Sequence, residues 1–276
     1  MTKAKEVLVP RSTLVVADVG NSRVKLGEFA AASWEAAAGA PPPHPVRAQP
    51  FPVDWTETEL DQFLPNPAAY GWAIASVNHP VADRLLAWLA RRDVTQPRVL
   101  SHLDMPLAIE VESPDRVGID RLANAVAVNR LRPANAGAII VDLGTAIKVD
   151  LVTPHGAFAG GAILPGIAMA ARALHEFTHL LPLVSVSDPP EPLGTSTRKA
   201  MSSGLYWGAV GAVRELVARL SDARQNMAIY LTGGAAPNVS AILEQESQQP
   251  PLFVPHLTLS GIAQAAIERP AKRILT

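Results

Sequence analysis

The sequence contains no cysteine. Disulfides, thiolate metal sites and thiol nucleophiles are therefore excluded, and the composition fits a reducing compartment, the cytoplasm. Charge of one sign is lacking as well. The 24 Lys and Arg residues are scattered against 25 Asp and Glu, for a formal net charge of -1, so no polybasic tract points to nucleic acid or to an anionic membrane. No run approaches the roughly 18 apolar residues of a membrane span. The apolar run Leu14 to Ala17 is too short for a signal-peptide core and is halted by Asp18. What remains is a partner of small-molecule size. With 48% hydrophobic composition, the 276 residues can bury one large core or two ordinary ones, and two domains are expected.

One phrase is present twice: Val16-Ala17-Asp18-Val19-Gly20-Asn21 and Val141-Asp142-Leu143-Gly144-Thr145. Each copy reads as a buried strand closed by Asp-x-Gly and a small polar residue. A second alternating run follows each, Val24 to Phe29 and Ile147 to Val152, which makes a strand, a tight turn and a returning strand. Gly allows close backbone approach, Asp is an acceptor, and Asn or Thr adds a hydrogen-bonding group, a combination that suits a phosphate. Two copies half a chain apart predict two related halves with a nucleotide clamped in a cleft between them.

Prolines cluster at residues 41 to 52, 189 to 192 and 250 to 255, which are read as loops. Strands are predicted at Ala73 to Val77 and Ala228 to Leu231. Helices are predicted at Pro80 to Asp93, at residues 117 to 132, from Gly166 to about Leu181, and from Thr197 to about Leu220. The strand before Thr232-Gly233-Gly234 opens onto a surface free of side chains, on which a base or ribose can lie. The alternation makes the class α/β, and the two hairpins make the sheets mixed. The boundary is expected near Pro133 to Gly137, giving domains at residues 1 to 133 and 134 to 276.

Asp120 falls in the first turn of the helix that leads to the second Asp-x-Gly strand. A carboxylate there serves either helix-end electrostatics or as a base, and phosphoryl transfer tolerates a weak base because its proton is accepted late. Arg121 is suited to an anionic substrate or to an ordinary ion pair. His175-Glu176-Phe177-Thr178-His179 matches the H-E-x-x-H pattern of zinc proteases, with no third ligand evident and Pro182 close behind.

In order along nearly the whole chain, these residues resemble the type III pantothenate kinases. The segments are Asp18 to Gly27, Ser76-Val77 before Pro80, Gly118-Ile119-Asp120-Arg121, Asp142 to Ala146, Gly160 to Gly166, Leu181-Pro182, Gly194 to Thr197, Gly204 to Gly208 and Leu231 to Gly234. The family is similar to the Bvg accessory factors, first named as regulators, so a non-catalytic nucleotide-binding regulator is the alternative reading. The resemblance implies two ribonuclease-H-like domains of the actin-like architecture shared by acetate and sugar kinases and heat-shock proteins. It also implies transfer of the ATP γ-phosphate to pantothenate, the first step of coenzyme A biosynthesis, in a cytoplasmic homodimer.

By motif, Asp18, Val19, Gly20, Asn21, Ser22, Arg23, Val24 and Lys25 would bind ATP phosphates, with Thr145 in the second loop. Asp120 would be the catalytic base. Gly118, Ile119, Asp120, Arg121 and Thr197 would form the pantothenate site. Asp142 would ligate the monovalent cation, K+ or NH4+, used beside Mg2+ and ATP. The chain departs from the pattern at two positions: Lys148 stands where the family usually has Thr, and Val111 where it commonly has Tyr. Lys148 is suited either to clamping a phosphate or to displacing the cation.

Overall fold

The structure, a computed structural model, describes residues 13–30, 41–222, 226–236 and 250–268. By packing, the chain divides into two units. The first takes in the chain up to Leu131, Gly156–Phe158 and the segment from His256 onward; the second is Arg132–His155 with Ala159–Pro255.

The first unit is built on a five-stranded sheet. Its strands are β1 (Leu14–Val19), β2 (Arg23–Phe29), β3 (Arg47–Pro52), β4 (Gly71–Ser76) and β5 (Arg98–Val99), in the order β3-β2-β1-β4-β5. The β1–β2 and β2–β3 pairs are antiparallel, whereas β4 joins β1 in parallel, as does β5 to β4. All six residues of β1 are buried, as its apolar run predicts for a central strand.

Side chains alternate across the sheet. Val15, Ala17 and Val19 join a core with Leu60 and Phe63 of α1 (Glu57–Phe63) and with Leu85, Trp88 and Leu89 of α2 (His79–Ala90). Helix α1 starts from a Thr56–Glu59 capping box, and α2 from Asn78, whose side chain accepts from the Val81 N–H.

Val16 and Asp18 face the other way, towards α3 (Ile119–Leu131) and the last helix, which is termed α6 (Leu257–Ile267). Gly27, opposite Val16, shows this directly: a Cβ there would meet Leu259 at 3.0 Å. Helix α6 is buried from Leu257 to Ala266. It belongs to the first unit, whereas chain order alone had assigned it to the domain of residues 134 to 276.

The second unit repeats the plan. Its strands are β6 (Gly137–Leu143), β7 (Ala146–Val152), β8 (Phe158–Pro165), β9 (Met227–Thr232) and β10 (Leu252–Phe253), in the order β10-β9-β6-β7-β8. Read from the other edge, this is the order of the first sheet, again with an antiparallel hairpin, β6–β7, and with β9 and β10 joining in parallel. Ile139, Val141, Leu143, Ile147, Val149 and Leu151 pack on Tyr206, Val210 and Val213 of α5 (Thr197–Asp222). Asp142 and Lys148 therefore project from the face away from α5. The α/β class and the two mixed sheets are as the sequence pattern predicts.

Local departures have local causes. Pro50 and Pro52, read as loop, lie in β3, which is an edge strand whose outer side needs no N–H donors. Helix α4 (Ile167–Glu176) stops short of Leu181. A helix begins at Ala236, the last described residue before residue 250.

The end of α6 is tied down by Arg98. One of its guanidinium nitrogens donates to the Ala266 carbonyl at 2.5 Å and another to Asp104 at 3.1 Å. Burial pushes the Asp104 carboxyl up, but hydrogen bonds from the Ser101 N–H and hydroxyl, together with Arg98, outweigh it and hold the group below its ordinary 3.8. A depressed carboxyl contributes stability that is complete above its unfolded value and lost as pH falls through its folded one. Asp104→Asn is therefore expected to cost about 1–3 kcal/mol in urea unfolding at neutral pH. The difference from the unsubstituted protein should shrink as the pH falls below the ordinary carboxyl range.

Candidate active site

In the first unit the Asp-x-Gly turn closes tightly, with the Gly20 N–H donating to the Arg23 carbonyl at 3.0 Å. Val19 and Val24 are buried and anchor the turn, while Asn21, Ser22 and Arg23 form its exposed tip. Asp18 is 7% exposed and lies opposite Lys25 in the hairpin register, with Nζ 3.4 Å from its Oδ2. A carboxylate, an ammonium and a tight exposed turn thus meet at the end of a central strand.

The same strand end leads to Asp120. The Val77 N–H donates to the Val19 carbonyl at 3.0 Å, continuing the β1–β4 pairing by one residue. The Val77 side chain in turn lies 3.7 Å from where a Cβ on Gly118 would stand, and that Cβ would be only 2.6 Å from Asp120 Oδ1. Gly118 is thus the residue that lets the carboxylate fold back over the first turn of α3. There Oδ1 accepts the Arg121 N–H at 3.0 Å.

Asp120 is half-buried at the helix N-terminus and Ile119 anchors that turn in the core. The Arg121 guanidinium lies 5.2 Å from the Phe158 ring centroid. Phe158, which belongs to the first unit, is held there by backbone bonds: its N–H donates to the Ala108 carbonyl at 2.9 Å and its carbonyl accepts from the Glu110 N–H at 2.8 Å. Val111 is the next residue and is half-buried.

In the second unit, Gly144 and Thr145 form the exposed tip of the hairpin, and the Gly144 N–H donates to the Ala146 carbonyl at 3.2 Å. Gly166 closes over this tip; a Cβ on it would fall 2.4 Å from the Gly144 carbonyl oxygen. Asp142 is buried at the end of β6. Its Oδ2 accepts from Lys148 Nζ at 2.7 Å, and the two residues are direct partners across the hairpin. On its other side, Gly233 has φ 97°, and a Cβ there would meet the Leu143 carbonyl oxygen at 2.5 Å and Asp142 Oδ1 at 2.7 Å. Only glycine fits, so the Gly-Gly after β9 is held against the Asp142 strand end.

Asp18 to Lys25 with Gly118 to Arg121 are therefore gathered in one unit, and Asp142, Thr145 and the Gly-Gly in the other. Thr197, the first residue of α5, is exposed and lines a groove of about 690 Å³ with Leu174, Leu181, Gly194 and Met201. Reading the sequence alone missed the Lys25 and Lys148 ion pairs and the ring under Arg121. Hairpin register was the available signal for the first two; nothing in the spacing marked Phe158.

The zinc-protease pattern is not assembled. Helix α4 ends at Glu176, so His175 and His179 are not stacked one turn apart, and His175 Nδ1 instead lies 2.8 Å from the Leu181 carbonyl oxygen. Among the described residues no group of three His, Asp or Glu side chains is placed to hold a metal ion.

The family model for type III pantothenate kinase matches residues 14–219. A protein of that description from Gluconobacter oxydans is 34% identical over 255 residues, covering 90% of this chain and 91% of its own. One from Acidiphilium cryptum is 38% identical over 172 residues, covering 62% of each. Among solved structures, component A of the (R)-2-hydroxyglutaryl-CoA dehydratase of Acidaminococcus fermentans superposes with a TM-score of 0.49 at 14% identity, covering 94% of this chain and 97% of that one. The ethanolamine utilization protein EutJ of Carboxydothermus hydrogenoformans does so with a TM-score of 0.49 at 13% identity, covering 95% and 92%.

Proposed function

The chain belongs to the type III pantothenate kinase family, and from that membership we propose that it transfers the γ-phosphoryl group of ATP to the primary hydroxyl of pantothenate. The products are ADP and 4'-phosphopantothenate, and the reaction opens coenzyme A synthesis in the cytoplasm. The observation that carries this reading is the continuous path from the Asp18 turn through Val19, Val77 and Gly118 to the Asp120 carboxylate.

In this reading Asp18 to Lys25 and Thr145 bind the phosphates of ATP, the N–H groups and Lys25 opposing their charge. Asp120 accepts the hydroxyl proton as the oxygen bonds to phosphorus and the bond to the ADP oxygen breaks. Gly118, Ile119 and Arg121 hold pantothenate, with the guanidinium facing its carboxylate, and Thr197 contributes from the start of α5. Mg2+ would be held chiefly by the oxygens of the triphosphate. When bound, it neutralises charge developing on the phosphate oxygens.

The family's monovalent cation would be ligated by Asp142. In this chain that carboxylate already holds the Lys148 ammonium, and the donor set does not fit a second cation there.

A homodimer is part of the same proposal. Phe177 and Leu180 are 85% and 90% exposed, and Gly204, Gly208 and Gly211 form an exposed stripe along α5 with nothing within 4 Å of an added Cβ. Small residues at this spacing let two helices approach closely. Gly208→Arg is expected to convert a dimer to a folded monomer; light scattering that shows an unchanged mass would remove this face from the interface.

The activity is tested by ADP release with a panel of small alcohols. Pantothenate should give the highest kcat/KM; a higher value for another alcohol would reassign the acceptor.

A further inference from the structure

The two Asp-x-Gly hairpins share more than the turn. In each, the Asp is paired across the strands with a Lys: Asp18 with Lys25, Asp142 with Lys148. The pairs are not equivalent. Lys25 keeps 40% of its side chain exposed and its Nζ stands 3.4 Å from Asp18, so it retains reach for a ligand. Lys148 is 15% exposed and its Nζ is 2.7 Å from an Asp142 side chain that is itself 9% exposed. The second pair is thus a close, largely desolvated ion pair fixed by strand register.

A primary ammonium carries the charge of K+ and the hydrogen-bonding character of NH4+. Another monocation at Asp142 Oδ2 would meet that like charge at contact range, where repulsion is strong because little water screens it. The other oxygen, Oδ1, lies against the Gly233 backbone.

We propose that the Lys148 ammonium is the resident cation of the second turn, taking the place that K+ or NH4+ would occupy at Asp142, so that the protein binds ATP without regard to either ion. Lys148 acts as a positioning residue: it neutralises Asp142 and holds the strand end from which Gly144 and Thr145 project. The inference rests on the second turn being a phosphate site of the proposed kinase.

The test is calorimetric ATP binding and thermal unfolding of the full chain, with K+ or NH4+ exchanged for choline at constant ionic strength. For the unsubstituted protein, ATP affinity and Tm should be the same in all three salts. Lys148→Thr restores the residue usual in the family, and its ATP affinity should rise by about 5- to 150-fold with K+ or NH4+, the ordinary range of coupling between two sites.

A saturable, K+-specific gain in ATP affinity or Tm in the unsubstituted protein would overturn the proposal. So would a folded Lys148→Thr protein indifferent to both ions. If that variant does not fold, the titration of the unsubstituted protein decides alone. Salt-indifferent ATP binding without pantothenate turnover would instead sink the kinase reading and leave this inference standing.

Discussion

Asp120→Asn is expected to lower kcat by about 100- to 10,000-fold while ATP affinity and unfolding midpoint stay near those of the unsubstituted protein. The loss corresponds to roughly 2.7–5.4 kcal/mol of transition-state stabilisation. Asparagine keeps the size of the side chain and an acceptor for the Arg121 N–H, so the first turn of α3 should be preserved. What it cannot do is take up the proton that pantothenate loses. Because the fold of that turn survives, reduced turnover is attributable to the proton acceptor. Unchanged kcat in a folded variant would remove Asp120 from the chemistry, and a parallel loss of ATP affinity would make it a nucleotide-binding residue.

Gly261→Ala should produce the largest change in stability. A Cβ at Gly261 would stand 1.8 Å from the Ala123 carbonyl oxygen, against the backbone of α3. Neither helix can yield cheaply. Helix α6 is buried over nearly its whole length, and Thr258 Oγ1 donates to Asn124 Oδ1 at 2.9 Å across the same crossing. Overpacking usually costs about 1–3 kcal/mol, and a clash with backbone belongs at or above the top of that range. Since α3 carries Asp120 at its start, turnover should fall with stability. Chemical denaturation and steady-state kinetics on one preparation test both; an unshifted midpoint would mean that the helices separate more easily than this packing implies.

The first two strands and the two turns were legible because buried strand, Asp-x-Gly and returning strand form a local pattern. Residues 14–19 and 137–143 pair mainly with strands whose own patterns are visible. The place of α6 was not legible. Its sequence, Leu-Thr-Leu-Ser-Gly-Ile-Ala-Gln-Ala-Ala-Ile, is buried at ten of eleven positions and shows no polar face to mark which neighbour it covers. Its neighbours are fixed by packing, with Gly261 on Ala123 and Thr258 on Asn124 of α3.

Prolines hid β3 for the opposite reason. They argue against a strand except at an edge, and edge position is a property of the sheet rather than of the segment.

The site followed the same division. Asp18, Asp120 and Asp142 stood out by type and spacing, whereas the role of Lys148 depended on its partner. The sequence left it between a phosphate and a cation; hairpin register brings it to Asp142. The Gly118 contact that directs Asp120, and the Phe158 ring beside Arg121, arise from packing between residues distant in sequence.

The central claim is the reaction itself. Its most direct test incubates the purified chain with Mg2+-ATP and pantothenate and measures ADP and 4'-phosphopantothenate together by mass spectrometry. The account predicts equal amounts of the two, formed only when both substrates are present. ATP binding with no phosphopantothenate would contradict it and favour a nucleotide-binding regulator of the same fold.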